Sequence, residues 1–241
     1  GINDGGLSSF GPKLDEGLMI KQFDGPSTDM NGNTVRGGDV IARRLADGSL
    51  AEIQPTEWIS RPDNIRNFFE TGVTSQNNVA LSTSNESTAV RASYGNLRHK
   101  GMLPNTDFDR DGISFSLDHA MHEDLELSIF ADYINSRSEN RPNLGYGYEN
   151  VMYGFNWTGR QANIESMKDY WQAGQEGVQH YDINYLWLTH PYMTLYENTN
   201  GFNKNRLFGN ASLNYNITDH LSFRVRTGTD VFNSKRTFRR A

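Results

Sequence analysis

From Thr74 onward the apolar positions recur with a period of two. Val79, Leu81 and Thr83 alternate with Ala80 and Ser82. After a turn at Asn85-Glu86 the alternation resumes through Thr88, Val90, Ala92 and Tyr94. Ile113, Phe115 and Leu117 continue it, and a turn at His122-Glu123 leads into Leu125, Leu127, Ile129, Ala131 and Tyr133. Farther on, Leu207, Gly209, Ala211, Leu213 and Tyr215 precede a turn at Thr218-Asp219 and the run Leu221, Phe223, Val225, Thr227, Thr229, Val231. Side chains two apart on an extended chain share a face, so each run predicts a strand with one apolar side. Residues 116–127 align without gaps on 212–223, each a strand, a polar turn and a strand opening Leu-x-apolar. The repeating unit is a hairpin. The expected fold is therefore all-β: an antiparallel up-and-down meander of six strands, carrying long loops with short helices.

The remainder breaks that period. Residues 1–60 read as loop, with turn signals such as Gly11-Pro12, Asp24-Gly25-Pro26 and Gly37-Gly38. Residues 61–72 predict a short helix, with Pro62 at its first position, Ile65, Phe68 and Phe69 on its apolar face and Gly72 at its end. Residues 138–204 predict three helical pieces, Glu149–Trp157, Asn163–Trp171 capped by Asn163, and Pro191–Asn198. The chain thus divides into 1–73, a loop segment with a short helix; 74–137, four strands; 138–204, a long helical loop; 205–233, two strands; and 234–241, the start of the next loop.

Turns within the hairpins are tight, whereas the connections between them are medium (Arg98–Arg110) and very long (Ser138–Lys204). That asymmetry, with strands of roughly 10–13 residues, is the pattern of an outer-membrane barrel. The polar face carries Arg91, Asp118, Glu126, Asp132, Arg224 and Arg226. It would look into a wet lumen in a barrel and at water in a soluble sandwich, and periodicity alone separates neither. Composition narrows the classes. A net charge of -6 argues against nucleic acid as partner, and the lack of cysteine removes disulfides, thiolate metal sites and cysteine nucleophiles. No apolar run approaches the length of a membrane helix. Neither end carries a leader or a stop signal, so the chain reads as a piece of a longer one.

Several segments resemble the SusC/RagA family of TonB-dependent outer-membrane transporters of Bacteroidetes. They are Gly11–Asp15, Arg61–Gly72, Lys100–Thr106, Trp157–Gln161, Lys168–Trp171 and Tyr196–Asn200, in order over nearly the whole chain. The resemblance implies a slice of a 22-stranded transmembrane barrel that surrounds a plug. It also implies import of a glycan or peptide, a SusD-like surface lipoprotein as partner, outer-membrane lipid around the wall, and TonB acting through parts absent from this chain. The rival reading is a soluble β-rich carbohydrate-binding module, with or without hydrolase activity.

Covalent chemistry finds no motif, and no enzyme, cofactor or metal is expected. Asp107-Phe108-Asp109-Arg110-Asp111-Gly112 opens like an EF-hand calcium loop, but a strand follows it, so it reads as an acidic loop tip. His119 and His122 point to opposite faces of a strand and cannot chelate together. The basic end Lys235, Arg236, Arg239, Arg240 reads as a solvated loop, with anionic lipopolysaccharide as the other contact considered. Residues 139–203 hold nearly half of the chain's aromatic residues. These combine apolar faces with polar tips, suited to a private core or to wet contacts. The candidate ligand or partner contacts are Trp157, Arg160, Tyr170 and Trp171, a π-face beside a fixed fork of donors.

Overall fold

The computed structural model describes residues 11–147, 149–156, 158–181 and 190–241. Before the wall come four short strands, β1 (Met19–Ile20), β2 (Pro26–Thr28), β3 (Thr34–Arg36) and β4 (Thr56–Glu57), and helix α1 (Asn64–Phe68). β1 pairs β4 and β2 pairs β3, so the stretch read as loop is tied into two small antiparallel ribbons. Then follow β5 (Val73–Ser84), β6 (Thr88–Lys100), β7 (Asp107–His122) and β8 (Leu125–Ser138), helices α2 (Val151–Asn156) and α3 (Pro191–Tyr196), and β9 (Asn200–Thr218) and β10 (Leu221–Phe238). β5 to β10 form one six-stranded antiparallel meander in sequence order.

The register realises the alternation. Thr83, Val90, Leu117, Ile129, Ala211 and Thr227 form one cross-strand row, and Val79, Tyr94, Ile113, Tyr133, Leu207 and Val231 another. Leu127, Leu213 and Val225 lie on the same face, as do Leu125, Tyr215 and Phe223. The opposite face carries Ser116, Glu126, Ser128, Arg224 and Arg226. A slip of one residue would exchange the two sets, which is why the pattern fixes the pairing.

Every buried apolar side chain among the described residues lies outside these six strands. The core consists of Phe23, Phe68, Val151, Ala162, Ile164, Met167, Tyr181, Tyr192 and Leu195, drawn from residues 11–72 and 138–199. Both segments sit at the same end of the sheet, opposite the tight turns, and pack on each other as one cap. Full burial of a side chain such as Phe68 or Leu195 is worth about 1.5–3 kcal/mol.

Several boundaries differ from expectation, each for a physical reason. The connection expected over Arg98–Arg110 is only the turn between Lys100 and Asp107, because the β6–β7 ladder continues to that pair. Asp107, Asp109 and Asp111 therefore belong to a strand and not to a loop tip. The helix expected over 61–72 covers Asn64–Phe68 alone. Phe69 is already extended, and Glu70 N–H donates to the Met102 carbonyl at 2.8 Å, so the chain joins the wall early. Asn163–Trp171 forms one 3-10 turn at Ser166–Lys168, with Asn163 Oδ1 accepting from the Glu165 N–H. Its carbonyls at Asp169 and Trp171 are taken by Arg36, which draws them out of any helical ladder. The other two helices are shorter than predicted, and β9 and β10 run past 205 and 233 to Asn200 and Phe238.

Candidate functional site

The cap is built around Arg36, at the end of β3. Its guanidinium pairs with Asp39 at 3.1 Å and donates to the carbonyls of Asp169 (2.5 Å) and Trp171 (2.6 Å). Asp39 is almost wholly buried, and its Oδ1 also accepts from the Ala173 N–H. Gln172 Oε1 accepts from the Ile41 N–H at 2.8 Å. Asn64 on α1 donates to the Ala162 carbonyl, and Arg61 N–H to the Arg160 carbonyl at 3.0 Å. Two segments about a hundred residues apart are thus locked by hydrogen bonds into the backbone, which is satisfied only when both are in place.

Against this frame lies an aromatic recess of about 390 Å³ lined by Asn67, Phe68, Glu70, Pro104, Lys168, Tyr170, Tyr192 and Tyr196. Its charges are already paired. Lys100 Nζ lies 2.6 Å from Glu70 Oε2, and Lys168 Nζ 2.7 Å from Glu165. Tyr170 Oη donates to Glu197 Oε1 at 2.8 Å, and its ring stacks on Tyr196 at 6.3 Å between centroids. Burial, then the neighbouring Glu197 carboxylate, pushes the Tyr170 phenol up to about 12. Burial does the same for Tyr192. Both stay neutral, so the recess offers aromatic faces and hydroxyls rather than a charge, suited to holding a ligand and not to acid–base work.

The predicted contacts divide. Trp157 lies outside the described residues. Tyr170 lines the recess and touches Trp171, their rings 5.2 Å apart. Trp171 is held by its carbonyl to Arg36 and bridged to His180. Arg160 is exposed and lines a different hollow, with Arg61, Pro62, Asn64, Ile65 and Ile164. Arg160 and Tyr170 thus line separate hollows. Sequence reasoning missed Tyr192 and Tyr196. Their spacing of four behind Pro191, which puts both on one side of a helix, was the available signal. Phe68, Glu70 and Pro104 reach the recess only through the fold.

Two sequence features find structural places. Asp109 and Asp111 are held by Arg98 and Arg137, with contacts of 2.9–3.6 Å, and act as cross-strand ion pairs. His122, Glu123 and Asp124 bring ligand atoms within 4.8 Å of one another at an exposed turn, whereas His119 bonds Thr88 Oγ1 on the neighbouring strand.

No protein-family model matches this chain, and no curated protein matches it. Among solved structures it is similar to the RagAB peptide importer in its closed-closed state, with a TM-score of 0.55 at 17% sequence identity. The likeness covers 75% of this chain and 20% of that one, so the residues here span about a fifth of the length of their structural neighbour. At that identity the shared property is the fold alone.

Proposed function

We propose that the chain is part of the wall and outer mouth of an outer-membrane, TonB-dependent nutrient importer. One observation carries the reading. The six-stranded wall buries none of its apolar side chains in the protein core, and Val79, Leu81, Phe223, Val225 and Val231 remain more than half exposed on one face. A continuous apolar sheet face of this kind needs an apolar medium, and hydrocarbon supplies it. The tight turns then face the periplasm and the cap faces outward. The work is energised import with no covalent step. Peptide is the favoured cargo, being what the structural neighbour carries, and a glycan is the alternative. A SusD-like lipoprotein would close over the cap, and TonB would act on parts of the protein outside these residues. The recess around Tyr170, Tyr192 and Tyr196 is the contact for cargo or partner.

The test uses the full-length protein in cells. It should fractionate with the outer membrane, and protease added outside should cut the cap while sparing the turns at Asn85, Glu123 and Asp219. Tyr170→Ala and Tyr196→Ala should lower uptake of labelled oligopeptides at unchanged membrane levels. A protein found soluble, or cut from outside at the tight turns, would refute the reading. Variants that fail only through lost expression would make the recess a packing feature.

A further inference from the structure

The polar face of the wall changes character toward the cap. Up to the row of Asp132, Phe208 and Asp230 it mixes both signs of charge, with Asp118 and Glu126 among Arg91, Arg224 and Arg226. The three rows beyond run across the six strands from Asn78 to Phe232, from Gln76 to Ser234 and from Thr74 to Arg236. They hold Arg110, Lys204, Arg206 and Arg236 and no carboxylate, in a chain that is acidic as a whole. Arg206 is engaged by Asp230 at 2.6 Å, whereas Arg110, Lys204 and Arg236 make no ion pair among the described residues. Their neighbours are rings. Lys204 Nζ lies 4.6 Å from the centroid of Phe232, and Arg141, from the cap, lies over Phe202 at 5.7 Å. Phe108 and Phe202 are 6.3 Å apart between centroids.

We infer that this field binds acidic oligopeptide, with side-chain carboxylates on Arg110, Lys204 and Arg236 and apolar side chains on the phenyl rings. The inference rests on the importer reading and narrows its cargo. Three arguments lead to it. A cation with no carboxylate beside it is complementary to an anion that a ligand brings, and the charge-assisted hydrogen bonds it then makes are strong ones. Spacing selects the kind of anion. Arg110 and Lys204 stand in one row on β7 and β9, with Ser136 between them, so their strands are about 9–10 Å apart. Carboxylates set at intervals along a chain match that spread better than one compact anion. The rings select the frame. Phe108, Phe202 and Phe232, with Leu97 and Ile134 in the same rows, set apolar surface between the cations. A polypeptide that mixes Asp or Glu with apolar residues answers both features, whereas an acidic glycan has the charges but no apolar side chains. Alternation also sorts the basic end of the chain. Arg236, paired in register with Phe202, belongs to the field, and Lys235 belongs to the opposite face.

The experiment titrates the full-length protein, solubilised in detergent, by isothermal calorimetry. The peptides share one Ala/Leu frame, are amidated at the C-terminus and carry Glu, Gln or Lys at the same positions. The Glu peptide should bind about tenfold more tightly than the Gln peptide, and the Lys peptide most weakly. Arg110→Gln with Lys204→Gln should remove that preference while the Gln peptide binds as before. Arg110→Glu with Lys204→Glu should make the Lys peptide the tighter ligand, a gain that a misfolded protein cannot show. Lys235→Gln, on the opposite face, should leave the preference intact. Equal binding of the Glu and Gln peptides, a preference that survives both double variants, or an equal loss in Lys235→Gln would overturn the inference. So would binding of oligogalacturonate in place of the Glu peptide, which would assign the field to acidic sugar. A protein absent from the outer membrane sinks the importer reading; an inserted protein indifferent to peptide charge sinks only this inference.

Discussion

The guanidinium of Arg36 lies over the ring of Tyr181, 4.2 Å from its centroid, and so joins two loop segments that the chain separates by the first four of the wall's six strands. Asp39 on one side of that guanidinium is buried, and the carbonyls of Asp169 and Trp171 end on the other. Arg36→Ala should cost the cap about 3 kcal/mol, because it leaves the buried Asp39 carboxylate without its partner. Hydrogen exchange should show residues 36–44 and 166–173 losing protection together while the β7–β8 ladder keeps its own. Independent loosening of only one segment would mean that the clamp does not couple them.

The wall should respond to charge by face. Leu127→Arg places a guanidinium in the apolar row of Leu213 and Val225 and should cost about 2–4 kcal/mol in a bilayer. Ser128→Arg, one residue on and on the other face, should cost little. Urea titration of the full-length protein in lipid vesicles reads both, and equal costs would mean that neither face meets lipid.

His190 is fully buried among the rings of Tyr170, Tyr181, His180 and Tyr192, and neither ring nitrogen has a hydrogen-bond partner among the described residues. Burial, then the charges of His180 and Arg36, holds its pKa well below the usual histidine range. The folded cap thus keeps His190 neutral, while the unfolded chain takes up a proton below about pH 6.5. Cap stability is therefore full above that pH. It falls as pH drops below it, by up to about 1.4 kcal/mol per unit, until the folded pKa is reached. Limited proteolysis at pH 7.5 and pH 5 should show the cap opening in acid, and His190→Phe should flatten the difference. An unchanged pH response in that variant would assign it to other groups.

Gly209 pairs in register with Ala131 of β8. A Cβ built there would lie 2.3 Å from the Phe130 carbonyl oxygen and 3.0 Å from Ala131 Cα, both backbone atoms that cannot swing away. Gly209→Val should cost about 1–3 kcal/mol by overpacking, and Ala211→Val, two residues on along the same face, should be tolerated. Thermal unfolding of the two variants side by side decides it.

Asp107, Asp109 and Asp111 should not bind calcium. Asp107 Oδ1 already accepts from the N–H groups of Glu139 and Asn140 at 2.9 and 3.1 Å, and the other two are engaged by arginines. Calorimetry should find no stoichiometric calcium heat. A heat that Asp109→Ala abolishes would overturn the assignment.

The sequence by itself determined the wall. Period-two alternation is a local property of each strand, and the tight turns pair strands that follow one another. Face, order and approximate register were therefore legible from Val79 to Val231. The acidic run at Asp107 misled because a local motif cannot show that Arg98 and Arg137 wait on flanking strands to neutralise it. The cap was legible only in outline. Its helices were overextended because propensity over 61–72 and 163–171 competes with distant partners, Arg36 and the Met102 carbonyl, which no local window contains. The aromatic recess was half visible, in Tyr170 and in the Tyr192/Tyr196 spacing, but its floor comes from α1 and from the β6–β7 turn. The acid-free rows around Arg110, Lys204 and Arg236 could be recognised only after pairing. No single strand shows them, and only the register sets these three distant cations on one stretch of the same face.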